Sequence, residues 1–445
     1  MNSENNAKNK RTSFLFSGQK AFSPQQNRIL NIFFYTIFGA TFVSLLGALL
    51  YYVFSYASLS MGNHGSDWLL GIFSDFVYIM NVSLEESPYL VEDYSSYPPV
   101  AIMVLYPFAL ICKGAFAQFS GSILTLDELT AAMVTQIEFW IAMVLFFLLC
   151  STVIILAVIY EFRLPPMQSI KMGIIILCCA PFVYAVMRGN TIYFAMMFLL
   201  LFLILHKSDS PFIREVSYVC LAISGLIKIY PLFFGVFLLN KKRIFASLRV
   251  GTYFVVGFVL SFMLFEGGLN NFKHFVAHLS EFSGDTARLS AGNNLSSTSL
   301  VHKTAELFGR EPAGSLAWSI VSFTVIFLIF FSATVLAIGA NSDLSRYVIA
   351  SSVVILIPTV SYYYVLIFAM LPFMEFLRHY DEQPLYKKRL YFWLFMVVFF
   401  TPCIITQFFL PQTLAILTMF CVECFSVAKH DFWLDGNTPT AVTQQ

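Results

Sequence analysis

Asp75 stands in the segment Ser74-Asp75-Phe76-Val77-Tyr78, ahead of Ser87-Pro88-Tyr89 and Tyr97-Pro98-Pro99. The surrounding stretch 57–97 carries Asp67, Asp75, Glu85, Glu86, Glu92 and Asp93 but no Lys or Arg. A carboxylate placed there can take the proton from a hydroxyl as its oxygen attacks an electrophile. Acidic residues in a loop ordinarily do no more than solvate it, and most of these six need no other role. Asp75 is set apart by Phe73, Phe76, Val77 and Tyr78, flanks that favour a membrane surface over bulk water. Composition alone does not separate it from Asp67.

Two cations are candidates for the complementary role. Lys228 is embedded between Leu221-Ala222-Ile223-Ser224-Gly225-Leu226-Ile227 and Tyr230-Pro231-Leu232-Phe233-Phe234. An ionisable group at membrane depth is costly, and a substrate is the usual reason to keep it. Its ammonium could bind an anionic phosphate, or it could simply snorkel to the interface. Arg188 precedes the turn Gly189-Asn190 between two apolar arms. Its guanidinium could grip phosphate or carboxylate bidentately, or cap the carbonyl end of its own helix. Farther along, His274 and His278 have i, i+4 spacing, but no glutamate follows them in the zinc-protease pattern, and no metal site is expected. Asn293-Asn294-Leu295-Ser296-Ser297 supplies neutral hydrogen-bonding groups suited to sugar hydroxyls, phosphate oxygens or a turn.

The elements that must position these residues are membrane helices. Hydrophobic residues make up 58% of the 445, aromatics 17% and charged residues 11%, with mean hydropathy +0.75. Such a composition excludes a water-soluble single-core globule. Apolar runs recur from Ile29 almost to the C-terminus, and roughly 20 residues cross a hydrocarbon core. The pattern predicts an all-α polytopic protein of about 10–12 transmembrane or re-entrant helices. One membrane domain over 29–428 is expected between tails 1–28 and 429–445, with two larger outer loops at 57–97 and 266–314. Net charge of +1, without a basic patch outside short loops, argues against nucleic acid as a partner. All eight cysteines lie in apolar stretches, as small buried hydrophobes rather than a disulfide frame, and Cys421-x-x-Cys424 lacks a second ligand pair.

Lys and Arg orient short loops towards the cytoplasm. The arrangement that gathers most of them puts the N-terminus inside, with Lys8, Lys10, Arg11, Lys20 and Arg28 ahead of an uncleaved anchor. The apolar piece 98–116 is expected to dip into the outer leaflet, and 131–160 to return inward. Hairpins then follow over 172–206, 214–240 and 345–377, turning at Arg188-Gly189-Asn190, at Lys228-Ile229-Tyr230-Pro231 and near Pro358-Thr359-Val360-Ser361. Half-length arms of this kind are tolerated where they line a protein cavity. That cavity is expected to open outward and to gather Asp75, Arg188, Lys228 and the turn Ser361–Tyr364.

In this order the motifs resemble glycosyltransferase family 87, polytopic enzymes of the GT-C superfamily typified by polyprenyl-phosphate-mannose-dependent mannosyltransferases of bacterial envelopes. The resemblance rests on Asp75–Tyr78, Pro88-Tyr89, Tyr97–Pro99, Gly189-Asn190, Lys228–Pro231 with the basic link Lys241–Arg243, and Asn294–Ser296. It covers most of 30–377. It implies an inverting transferase moving a hexose, mannose first among candidates, from a polyprenyl-phosphate donor to a lipid or glycan acceptor. The chemistry would lie on the non-cytoplasmic face of the plasma membrane, among membrane lipids, without a cofactor. Asp75 would be the general base, and Lys228 and Arg188 would hold the donor phosphate. Tyr78, Tyr97, Asn190, Tyr230, Asn294, Ser296, Tyr362 and Tyr363 would contact substrate. One departure is clear: many members have Ser-Pro-x-Ser-Trp followed by histidine, whereas this chain reads Pro358-Thr359-Val360-Ser361-Tyr362-Tyr363-Tyr364. A flippase for lipid-linked glycans, or an envelope polysaccharide polymerase, is the rival. The former would carry more intramembrane charges and the latter arginines in its outer loops.

Overall fold

The computed structural model describes residues 21–59, 72–90, 95–119, 124–162, 164–240, 243–285, 288–289, 294–309, 316–400 and 410–429. Asp67, Lys241, Lys242 and both tails beyond residues 21 and 429 lie outside them.

The described chain is all-α. Its first part comprises α1 (Pro24–Leu59), α2 (Ser74–Ser83), α3 (Pro99–Met103), α4 (Tyr106–Phe119), α5 (Leu126–Met133) and α6 (Ile137–Phe162). The middle follows with α7 (Pro166–Cys178), α8 (Ala180–Arg188), α9 (Ile192–Leu205), α10 (Pro211–Ile227), a 3-10 turn Tyr230–Gly235, α11 (Val236–Asn240) and α12 (Ile244–Phe262). The last part holds α13 (Asn270–Gly284), α14 (Ser297–Leu307), α15 (Leu316–Gly339), α16 (Asp343–Leu356), a 3-10 turn Tyr363–Ala369, α17 (Met370–Arg378), α18 (Leu385–Phe399) and α19 (Leu410–Val427).

Five of these helices, α1, α6, α12, α15 and α19, are long and apolar enough to cross a bilayer, and α7 with α8 make a sixth if the bent pair is one span. The remaining apolar helices are shorter, including Ile192–Leu205 and Tyr230–Leu239. The breaks have local causes. Between α7 and α8 the axis turns by 54°, where Cys179 is extended and Pro181 in the first turn of α8 has no N–H to continue the ladder. Lys228 ends α10 in extended conformation three residues before Pro231.

The described parts of the stretches expected as outer loops contain helices: α2 lies in the first, α13 and α14 in the second. The piece 98–116, expected to dip into the outer leaflet, is built of two helices, α3 and α4, divided at Val104-Leu105, with α4 packed on α6. The pairs α9–α10, α10–α12, α1–α7 and α16–α19 make the main helix contacts, and one cluster of buried apolar residues runs from Leu30 to Val427.

Candidate active site

The site begins where α2 meets the end of α8. Phe76, Val77, Ile79 and Met80 bury one face of α2, and Phe76 packs against Phe108, Phe139 and Phe146. Asp75 and Tyr78, three residues apart, share a different face. The first turn of a helix also favours a carboxylate through its unpaired N–H groups. Phe73, before α2, has φ 65°, a left-handed conformation unusual for a side chain of this size. Its amide donates to the Met187 carbonyl at 2.5 Å, stitching the start of α2 to the last turn of α8.

Gly189 closes α8 with φ 62°. A Cβ there would sit 2.3 Å from the Phe76 Cβ, so the two backbones approach closely because this residue has no side chain. That approach brings three side chains into contact. Arg188 Nη2 donates to Asp75 Oδ1 at 2.5 Å, and Asn190 Nδ2 donates to Asp75 Oδ2 at 2.7 Å. The buried Asn190 is itself oriented, because its Oδ1 accepts from the Ile192 amide at 3.0 Å. Its Nδ2 also reaches the Tyr97 hydroxyl at 3.5 Å. The carboxylate is largely enclosed, with 13% of the Asp75 side chain exposed against 28% for Arg188.

Lys228 approaches from the end of α10. Its Nζ lies 4.4 Å from the centre of the Tyr97 ring and 5.9 Å from that of Tyr364. Cation–π contact of this kind compensates an ammonium only in part, and among the described residues no carboxylate lies within ion-pair distance of Lys228. Asp75 is within its electrostatic reach. Tyr78 packs beside Tyr97 at 6.3 Å between ring centres, while Tyr184 lies beside both Tyr363 and Tyr364. The result is one acid and two cations among tyrosine rings, close to helix ends and not within a long span.

The motif pieces of the first loop support one another. Tyr89 Oη donates to the Tyr97 carbonyl at 2.8 Å, and the Ser95 amide donates to the Pro88 carbonyl. Tyr89 is buried against Phe262, Phe265 and Phe275, so it anchors the strand of chain that presents Tyr97.

Asn294 and Ser296 are turned towards the protein's own backbone. The Asn294 amide makes four hydrogen bonds, accepting from Ser296 and Ser361 and donating to Arg288 and Thr359. Ser296 Oγ donates to Thr359 and accepts from Ser299, capping α14. Together they clamp the 358–362 turn, which bears Tyr362 and leads into the 3-10 turn that carries Tyr364. Tyr363 is fully buried, its hydroxyl donating to Val398. Tyr230 packs on Phe368, two residues beyond Lys228. Thus Asp75, Arg188, Asn190, Tyr97, Tyr78 and Lys228 converge, and Asn294, Ser296 and Tyr363 lie in the scaffold behind the turn. The sequence places Tyr364 at the cavity only as part of the turn Ser361–Tyr364, and does not mark Tyr184 at all. The signal for Tyr184 was its i, i+4 relation to Arg188 on α8.

Among the described residues no group of three or more His, Cys, Asp or Glu side chains gathers as a metal site. His274 and His278 do share a face of α13, but His278 Nε2 lies 3.3 Å from the Tyr89 carbonyl.

The sequence model of glycosyltransferase family 87 matches residues 95–367. The chain belongs to that family. It is a membrane glycosyltransferase, as the motif order implied. No curated protein matches the chain. The family segment includes Tyr97, Arg188, Asn190 and Lys228, whereas Asp75 precedes it. Asp75 therefore joins these family residues through geometry: two of them, Arg188 and Asn190, hold its carboxylate.

Proposed function

We propose that this glycosyltransferase moves a hexose from a polyprenyl-phosphate donor to a hydroxyl of a lipid or glycan acceptor, on the non-cytoplasmic face of the plasma membrane. Mannose is the first donor sugar to test. The observation that carries this reading is a carboxylate held by Arg188 and Asn190 beside a lysine that, among the described residues, lies against aromatic rings without a carboxylate at ion-pair distance. The acceptor oxygen attacks the anomeric carbon and its proton passes to Asp75. The bond from that carbon to the phosphate oxygen breaks with inversion, and Lys228 stabilises the phosphate that leaves. Asn190 keeps the Asp75 carboxylate turned towards the acceptor. Tyr78, Tyr97, Tyr230 and Tyr362 offer faces and hydroxyls to the sugars, with Asn294, Ser296 and Tyr363 shaping the turn that borders them. A lipid-linked donor suits a site built among helix ends in a polytopic protein, since it reaches the site from the bilayer.

The reading is tested by mass spectrometry of envelope glycolipids and glycans from a deletion strain complemented with wild-type or Asp75→Asn protein at matched membrane levels. Loss of one sugar unit in both the deletion and Asp75→Asn strains, restored by wild type, is expected. Full restoration by Asp75→Asn removes Asp75 from the chemistry.

A further inference from the structure

Arg188 is already paired. Its Nη2 is 2.5 Å from Asp75 Oδ1, so the group expected to hold a phosphate is bonded to the group expected to take a proton. Among the described residues the charged side chains brought together here are Arg188, Lys228 and Asp75. Two cations and one ionised carboxylate leave a single positive charge. A sugar phosphodiester donor carries one negative charge and matches it. The phosphate monoester that leaves carries nearly two at neutral pH, because its second pKa is about 6. Transfer therefore creates one negative charge on phosphate and, through the proton released by the acceptor, removes one from Asp75.

Resting on the transferase reading above, the geometry points to a hand-off: Arg188 pairs with Asp75 while the base is charged and passes to the leaving phosphate as Asp75 takes the acceptor's proton. The bond formed is between the acceptor oxygen and the anomeric carbon. The bond broken joins that carbon to the phosphate oxygen, which keeps the electron pair, and the proton ends on Asp75. The site stays balanced at both ends, one positive charge facing the diester and two facing the monoester.

The frame allows this exchange. The Phe73–Met187 backbone hydrogen bond and the Gly189–Phe76 approach hold α2 against α8 without the ion pair. Asn190 grips the other carboxylate oxygen, so Asp75 keeps its orientation when Arg188 turns away. The Arg188 side chain is twice as exposed as that of Asp75, and a guanidinium has five N–H donors in a planar fork, suited to phosphate. A purely structural ion pair would gain nothing from phosphate and would be indifferent to its charge.

The test is binding of a short-chain polyprenyl phosphate monoester, and of its methyl diester, to full-length protein in nanodiscs. Asp75→Asn should bind the monoester roughly tenfold more tightly than wild type, with a smaller gain for the diester, because it frees a charged donor. Arg188→Ala should weaken monoester binding, and the double variant Asp75→Asn/Arg188→Ala should show no gain. A tighter-binding variant cannot be an unfolded one. If inactive Asp75→Asn binds the monoester no better than wild type, or if the gain persists in the double variant, the hand-off is overturned while the base reading stands. If Asp75→Asn still transfers sugar, the base reading falls and the hand-off with it.

Discussion

At the scale of single residues, the site depends on how charges are divided among few partners. Among the described residues Asp75 has two donors, whereas Lys228 has aromatic faces and a carboxylate at longer range. An ammonium so placed is available to an incoming anion. Lys228→Met should therefore lower kcat/KM by about 10²-fold, the scale seen when one donor to a developing negative charge is lost. Steady-state kinetics over a donor series would check this, and an unchanged kcat/KM would remove Lys228 from the donor site. Asp75 was legible in the sequence because charge and aromatic flanks coincided, and Lys228 because its neighbours are apolar. Their companions were less so. The Arg188–Asp75 pair spans more than a hundred positions of sequence, and no local pattern states which cation meets which acid. Asn294 reads equally as a sugar ligand or a turn clamp until its four hydrogen bonds are traced to backbone.

At the scale of elements, position is set by close approach. Gly189→Ala would force a side chain into a left-handed backbone, costing about 1–2 kcal/mol, and would drive a methyl into Phe76, adding roughly 1–3 kcal/mol of overpacking. Thermal unfolding in detergent should show a clear fall in midpoint, with transfer lost because α2 no longer seats on α8; an unaltered midpoint would contradict the packing argument. A second test lies far from the chemistry. Glu423 is fully buried on α19, bonded by Lys387 at 3.0 Å, Tyr391 at 2.5 Å and Ser345 at 2.7 Å, which joins α16, α18 and α19. Lys387→Met leaves that buried carboxylate without its counter-ion and should destabilise by about 3–5 kcal/mol, while adding Glu423→Leu should recover much of the loss. A double variant as unstable as the single would refute this. In the sequence Glu423 was hidden inside Cys421-x-x-Cys424, where the cysteines drew the eye and the buried charge between them did not. The break before Pro231 is legible because a proline removes a ladder hydrogen bond, whereas the 54° bend at Cys179–Pro181 falls inside the arm 172–187 expected to be continuous.

At the scale of the whole molecule, hydropathy revealed a polytopic helical protein, because apolar runs of this length have few other uses. Among the described residues five helices are long enough to cross, and the short α8 and α10, half-length arms of the kind the sequence implies, end at Arg188 and Lys228, beside the site. Short and broken helices have a physical purpose in such a protein, since their exposed ends bring polar backbone and side chains to a protein-lined space. Within the stretches expected as outer loops, charge and turn residues dilute the apolar pattern and hide the helices α2, α13 and α14 that fold there, of which α2 carries Asp75. The most direct test of the central claim is transfer by purified protein in nanodiscs supplied either with a radiolabelled polyprenyl-phosphate hexose or with the matching nucleotide sugar, using extracted envelope lipids as acceptor. The account predicts label moving to acceptor from the lipid donor alone, with the rate reduced at least about 10³-fold in Asp75→Asn. Transfer from the nucleotide sugar, or an Asp75→Asn protein working at the wild-type rate, would contradict it.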